Sequence, residues 1–237
     1  MQTEIDIVAP AGRSARVAAV GGLAARQTGP NAIHLISTAA TPLGGDSIVI
    51  RVVVEAGATL HLRTVAATIA LPARDRLDST TEWHIDVAEG ARLHVDPEPT
   101  IVAGGAQHGS TTTVTAHRDS TVIIAEHAQL GRAEESFAVR TRARWSGALR
   151  VDIGGLPILR HRLTLGDPAG GGHRAVSSVF RFPDERPATV SPVAYAARLE
   201  LTRPHDIPGS TLTTALDSST TRARGLCDDL ELDVART

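Results

Sequence analysis

Ten histidines and 26 carboxylates are the side chains of this 237-residue sequence that could do chemistry, and their spacing decides which chemistry is open. No His-x-x-x-His pair encloses a Glu, so the helical zinc-hydrolase pattern is absent. His61 and His94 are the best metal candidates, because they fall at equivalent positions of two similar stretches. If those stretches stack as neighbouring strands, the two rings come within about 5 Å, close enough to share a soft cation, with Asp96 on the same face. Among the acids, Glu126, Glu134 and Glu135 lie near one another in sequence, and two carboxyls facing one cleft are what a glycosidase requires. Nucleophilic machinery is missing: there is no Gly-x-Ser-x-Gly elbow, and the single Cys227 is followed by Asp228 and Asp229, which raise rather than lower a thiol pKa. All 24 cationic side chains are Arg, which excludes a Walker A lysine, a pyridoxal Schiff base and any Lys nucleophile. Gly44-Gly45-Asp46, Gly104-Gly105 and residues 170–172 are read as turns or loops, since none follows a strand and opens a helix as a dinucleotide fingerprint does.

The elements that must position these residues are short. Apolar runs of five to eight residues are broken by Gly-Ala, Gly-Gly or Pro, and β-branched residues are frequent, which predicts strands and turns. Residues 48–54 form a strand, 55–58 turn it, and 59–65 alternate, with Leu60 and Leu62 on one face and His61 and Arg63 on the other. The same grammar returns 33 residues later in 83–87, 88–91 and 92–96, where Gly90, Ala91, Leu93 and His94 repeat Gly57, Ala58, Leu60 and His61. A looser third copy runs through 111–114, 117–120 and 121–125. Such a unit cannot bury its apolar face alone, so the copies must stack, giving an all-β fold of repeated strand-turn-strand coils, either β-helical or two-layered. Residues 149–153 and 156–165 continue the pattern across Gly154-Gly155. A flexible loop is expected over 166–172, strands over 175–182, 197–202 and 210–215, a short helix over 217–229 capped by Asp217 or Ser218, and fraying over 231–237. At most one or two short helices are expected, near the C-terminus, and residues 1–237 are read as a single domain.

Composition narrows the partners. Hydrophobic residues make up 42% but aromatics only 3%, so the core is built from Ala, Val, Leu and Ile. A net charge of −2 and six aromatic side chains offer neither a basic field nor stacking platforms for nucleic acid. One cysteine closes no intrachain disulfide and builds no thiolate metal site. No stretch of 18 apolar residues exists, and the first ten residues lack a basic flank leading into an apolar run, so no membrane contact and a cytoplasmic location are expected.

Five pieces in a fixed order then become recognisable: Pro42-Leu43-Gly44-Gly45-Asp46; the 54–58 turn with Arg63-Thr64-Val65-Ala66-Ala67-Thr68; the 87–91 turn with Pro97-Glu98-Pro99-Thr100-Ile101; Glu126 through Gly131-Arg132 to Glu135-Ser136-Phe137; and Gly155-Leu156-Pro157-Ile158-Leu159 before Arg162-Leu163. Together they resemble the urease accessory protein UreD (UreH) family over residues 42–163. The resemblance implies a non-enzymatic, all-β scaffold that binds UreF, recruits the nickel-carrying GTPase UreG and docks on apo-urease for nickel insertion. No tightly bound cofactor is implied, and Ni²⁺ would be held transiently. By the same resemblance Asp46, Thr68 and Glu135 match positions of an internal polar passage for the ion. Oxygen donors suit that task, since they hold a divalent ion loosely enough to release it.

The chain departs from the family pattern at Ile69-Ala70-Leu71, where a Lys and an aromatic are usual, between Gly131 and Glu135, which is about two residues short, and at His161, where an Asp is usual. It also lacks a Trp-bearing C-terminal tail. The competing reading is a β-solenoid or sandwich carbohydrate hydrolase using Glu126 and Glu135, disfavoured by the shortage of aromatic sugar platforms.

Overall fold

The computed structural model describes residues 1–166, 172–202 and 206–232. The chain opens with β1 (Gln2–Ala9), β2 (Arg16–Val20), β3 (Leu23–Gly29) and β4 (Ala32–Ser37), and then winds through repeated coils. These comprise β5 (Ser47–Val54), β6 (Thr59–Thr64) and β7 (Thr68–Ala70); then β8 (Asp78–Val87), β9 (Arg92–Val95) and β10 (Thr100–Val102); then β11 (Gln107–Ala116) and the long β12 (Thr121–Leu130). A one-turn helix, α1 (Phe137–Arg140), leads to β13 (Arg144–Ile153) and β14 (Leu156–Leu165). The chain closes with β15 (Ala175–Phe182), β16 (Thr189–Val190), β17 (Tyr195–Glu200), β18 (Thr211–Asp217) and α2 (Thr220–Leu232).

The strands form two facing sheets. The first runs β14-β13-β11-β8-β5-β1-β2, and the second runs β16-β17-β18-β15-β12-β9-β6-β4-β3, with β7 and β10 joined to the second through β12. Each coil contributes one strand to the first sheet and one or two to the second, so successive copies pair in parallel, as β5 with β8, β8 with β11 and β6 with β9. The sequence repeat is therefore the strand register. Ser47 lies beside Thr80 across 33 residues, and Ser79 beside His108 across 29. The expected all-β, two-layer coil architecture is observed.

Alternation drives this arrangement. Along β5, β6 and β9 every second side chain is buried, placing Ile50, Val52, Leu60, Leu62 and Leu93 in one core between the sheets with Ile5, Phe180 and Phe182. Each such side chain stabilises the fold by roughly 1.5–3 kcal/mol on burial. The turns are equally repetitive: Gly57 and Gly90 both take positive φ, +68° and +64°, and the two stack where one coil follows the next, so a β-carbon at either would strain the turn.

Several local expectations shift. Strands precede residue 48, because β1 supplies a parallel neighbour for β5. One helix, α1, lies mid-chain rather than near the C-terminus. The C-terminal helix begins at Thr220, not at 217, because Asp217 completes the ladder of β18 with Ala175. Glu231 is not frayed: its carboxylate is buried and held by Arg181, Arg186 and Thr213, which pins the last turn of α2 to the second sheet. The loop core at 167–171 and the tail at 233–237 lie outside the described residues. Among the described residues no helix is long and apolar enough to cross a membrane.

Gly225 sits exposed in the middle of α2 with open space around it, so Gly225→Ala should raise stability by about 0.5–1 kcal/mol, read as a higher melting temperature.

Candidate functional site

The first sheet turns an unusual set of side chains inward at one end. On β11 the inward positions are His108, Ser110, Thr112, Val114 and Ala116, so the apolar lining of the core gives way to polar groups toward the start of the strand. Register carries this sideways, since Ser79 and Thr81 of β8 lie beside His108 and Ser110, and Gly147 of β13 lies beside Ser110. The second sheet faces them with Glu126 of β12, which falls between buried Ile124 and Ala128.

A gap in the second sheet makes room for these groups. The first half of β12 pairs with β9 through Ile124, and the last three residues pair with β10 from Ala128, but Ala125, Glu126 and His127 have no strand beside them on that flank. The ladder breaks there because Pro97 and Pro99 separate β9 from β10, and Val65-Ala66-Ala67 separates β6 from β7. What remains is a cavity of about 240 Å³ between the sheets, lined by Thr64, Thr68, Ala66, Ala67, Glu98 and Thr100 at the gap and by Trp83, His108, Ser110, Thr112 and Glu126 deeper in. The Glu98 N–H donates to Thr64 Oγ1 at 2.8 Å, tying the two gap segments together.

The cavity acid is poised near neutrality. Burial pushes the Glu126 carboxyl up to about 7, opposed by a hydrogen bond from Ser110. Burial pushes His108 down to about 4, and its Nδ1 lies 2.9 Å from Ser79 Oγ, so it is a neutral imidazole at pH 7. Gly147 provides the space: a β-carbon there would stand 2.2 Å from the Trp145 ring and 2.7 Å from Glu126 Oε2. Hydroxyls, one titratable carboxyl and a neutral imidazole can hold a divalent cation weakly, but they supply no activated nucleophile.

The residues singled out in the sequence are dispersed. Thr68 lines the cavity. Asp46 is a buried brace: its Oδ2 accepts from Thr41 Oγ1 at 2.9 Å and the Leu43 N–H at 2.8 Å, while Oδ1 bonds the Met1 amino group. Glu135 clamps two loops, accepting from Arg132 Nε at 2.7 Å and from the Gly104 N–H at 2.9 Å. These bonds oppose the cost of burial and hold both carboxyls below the usual range. Glu126 and Glu135 therefore share no cleft, the one lining the cavity and the other bracing loops. His61 and His94 do lie side by side on adjacent strands, their rings edge to face with centroids 5.8 Å apart, but among the described residues no group of three or more His, Cys, Asp or Glu stands where it could hold a metal. Asp96 is engaged by Arg224 at 2.7 Å and by His127 at 3.4 Å.

Ser177, His127 and Asp96 form a hydrogen-bonded chain, with Ser177 Oγ 2.9 Å from His127 Nδ1 and Asp96 Oδ1 3.4 Å from Nε2, the reverse of the ring orientation in a serine-hydrolase triad. Ser177 is 0% exposed, and the Cys227 thiol of α2 donates to its carbonyl, so the set fastens the helix and meets no substrate. Burial also pushes Cys227 up to about 11, leaving it inert as a nucleophile. Sequence reasoning weighed Glu126 only as a hydrolase acid and missed His108 and Ser110 as cavity groups. The signal was available in the inward positions 108, 110 and 112, which are polar where the strand period calls for apolar residues.

Fold and site together define an all-β coil scaffold around a polar-floored internal cavity. Residues 17–227 match the family model described as "UreD urease accessory protein". The chain belongs to the UreD urease accessory protein family. It is 34% identical over 166 residues to Urease accessory protein UreD 1 of Saccharopolyspora erythraea, a stretch covering 67% of this chain and 62% of that one. To Urease accessory protein UreD of Frankia alni it is 35% identical over 173 residues, 62% of this chain and 56% of the relative, so these matches span less than two thirds of the relatives' own length. Similarity to the UreD of Streptomyces coelicolor is 31% over 225 residues, 88% of this chain and 85% of that one.

Two outcomes test the site. Because the folded Glu126 pKa lies above its unfolded value, the folded protein holds the extra proton between about pH 4.5 and 7, and stability falls as pH rises through that window. Glu126→Gln should flatten this fall and exceed the parent in urea stability at about pH 8 by about 2–3 kcal/mol, with little gain at about pH 4. Gly147→Ala, which crowds Trp145 and Glu126, should lower urea stability by about 1–3 kcal/mol.

Proposed function

We propose that this chain is a non-enzymatic scaffold of urease maturation, acting in the cytoplasm, that binds UreF and UreG, docks on apo-urease and lets Ni²⁺ pass through the cavity between its sheets. The observation that carries this reading is the cavity itself: in a member of the UreD family, the segments containing Thr64, Thr68 and Glu98 converge on an acid inside the cavity, Glu126. Three of the five ordered pieces that mark the family resemblance thus border one internal space.

The physical case concerns the ion as cargo. A hydrated divalent cation entering at Glu98 would exchange water for hydroxyl and carboxyl oxygens at Thr68, Thr100, Ser110 and Glu126. Oxygen donors of this kind bind nickel more weakly than imidazole or thiolate cages, which favours release. A carboxyl with a pKa near 7 can take up its proton as the ion leaves, so no bare charge is stranded in the core. Asp46 and Glu135 serve the passage indirectly, Asp46 by bracing the 41–46 turn ahead of β5 and Glu135 by tying the turn at Gly104, ahead of β11, to the turn at Arg132, after β12.

Complementation tests the reading. In a strain deleted for its own UreD but retaining the other accessory genes, the parent chain should restore urease activity. Glu126→Leu should lower it at least about tenfold while co-purification with UreF persists. A parent chain that neither captures UreF nor restores activity would overturn the maturation role. Full activation by Glu126→Leu would overturn the passage through the cavity alone.

A further inference from the structure

The two sheets do not end together. On β15 and β18 the inward positions include Phe180 and Leu212, which are buried in the core. The ladder places Leu199 beside Leu212, Ala197 beside Thr214, Tyr195 beside Leu216, and Val190 of β16 beside Ala197, so Val190, Tyr195 and Leu199 share that inward face. The opposite face of β17 is covered, since Ala196 packs with Cys227 and Leu230 of α2 and Arg198 bonds the Leu230 carbonyl. Yet Val190 and Tyr195 are each 71% exposed and Leu199 is 50% exposed. An inward face can be this open only where the first sheet stops short, and it stops at β14.

β14 is itself an unfinished edge. It is ten residues long, pairs only with β13, and no other described strand extends the sheet beyond it. The free edge of β14 and the overhanging face of β16 and β17 thus form a step, a backbone wall above an apolar floor. On the outer side of the wall the register sets Arg160 beside Arg150 and Arg162 beside Ala148, so three arginines share one patch, with Arg160 paired to Asp152 and Arg162 donating to Ser146 Oγ at 3.1 Å.

We propose that an extended segment of another protein, apolar at alternate positions and acidic at the intervening ones, adds to the edge of β14 as an eighth strand of the first sheet. Its apolar side chains would cover Val190, Tyr195 and Leu199, and its carboxylates would meet Arg160 and Arg162. Strand period two requires this alternation, because one face of the added strand looks onto the floor and the other toward the arginines. Charge selects the occupant. A second copy presenting its own β14 would set Arg160 and Arg162 against the same residues, and like charges directly opposite repel, so the edge disfavours self-pairing. This inference does not rest on the maturation reading, since it uses only the step and its charges.

The test uses the full chain and two fluorescent octapeptides, one alternating Val with Glu and one alternating Val with Lys. The Val-Glu peptide should bind, read by fluorescence anisotropy, and should slow hydrogen exchange at the amides of 156–165; the Val-Lys peptide should bind at least about tenfold more weakly. Arg160→Glu with Arg162→Glu should invert that preference. Tyr195→Ser, at an exposed position whose loss spares the core, should weaken the Val-Glu peptide while leaving the melting temperature of the chain unchanged. Failure of the Val-Glu peptide to bind, equal affinity for both peptides, protection confined to other strands, or concentration-dependent dimerisation abolished by Arg160→Glu would each overturn the proposal.

Discussion

Parallel stacking of one coil on the next is the constraint on which the remainder of the structure depends. A coil buries its apolar side chains only if its neighbour repeats them in register, so Leu60 must meet Leu93 and Val52 must meet Ile85. That requirement fixes the turn glycines, the alternation of every strand and the distance between the sheets. It also fixes where the pattern can be relaxed. Two consecutive coils lose their ladder at the same height, one at Val65-Ala66-Ala67 and the other across Pro97 and Pro99, so the defects superpose and enclose a cavity in place of two separate dents.

The cavity concentrates the electrostatic cost of the fold at one residue. Glu126 sits in line with Ile124 and Ala128 on a strand that is otherwise a core element, and only Ser110 and the cavity volume ease its burial. Other acids with largely buried carboxylates are handled differently: Asp46, Glu135 and Glu231, for example, are surrounded by donors that keep them ionised. The contrast separates acids that hold the scaffold from the acid that remains available inside it.

Much of this was legible in the sequence. The repeat that pairs Gly57 with Gly90 and His61 with His94 gave the coil stacking, because period-two alternation and turn glycines are local signals. The strands of the first 46 residues carried no repeat, and their place at the sheet edge depends on β5, which local pattern does not reveal. Asp46 and Glu135 could be matched to a family position but not to a geometry, since whether a carboxylate faces a cavity or caps a loop is decided by partners as distant in sequence as Gly104. Glu126 was visible as an acid ending a run of Val and Ile. Its environment depended on Pro97, Pro99 and Gly147, whose joint effect exists only after the coils stack.

Asp96, between cavity-lining Val95 and Pro97, links the rim of the cavity to α2. It immediately precedes Pro97, contacts His127 beside Glu126, and receives Arg224 of α2 from 128 residues away. A nascent chain can complete every parallel coil before α2 has been synthesised, but that contact cannot close until α2 is made. That contact is thus tied to the synthesis of α2, and a product truncated before Arg224 would stack its coils while Asp96 kept His127 and Arg63 but lost its guanidinium partner on the helix.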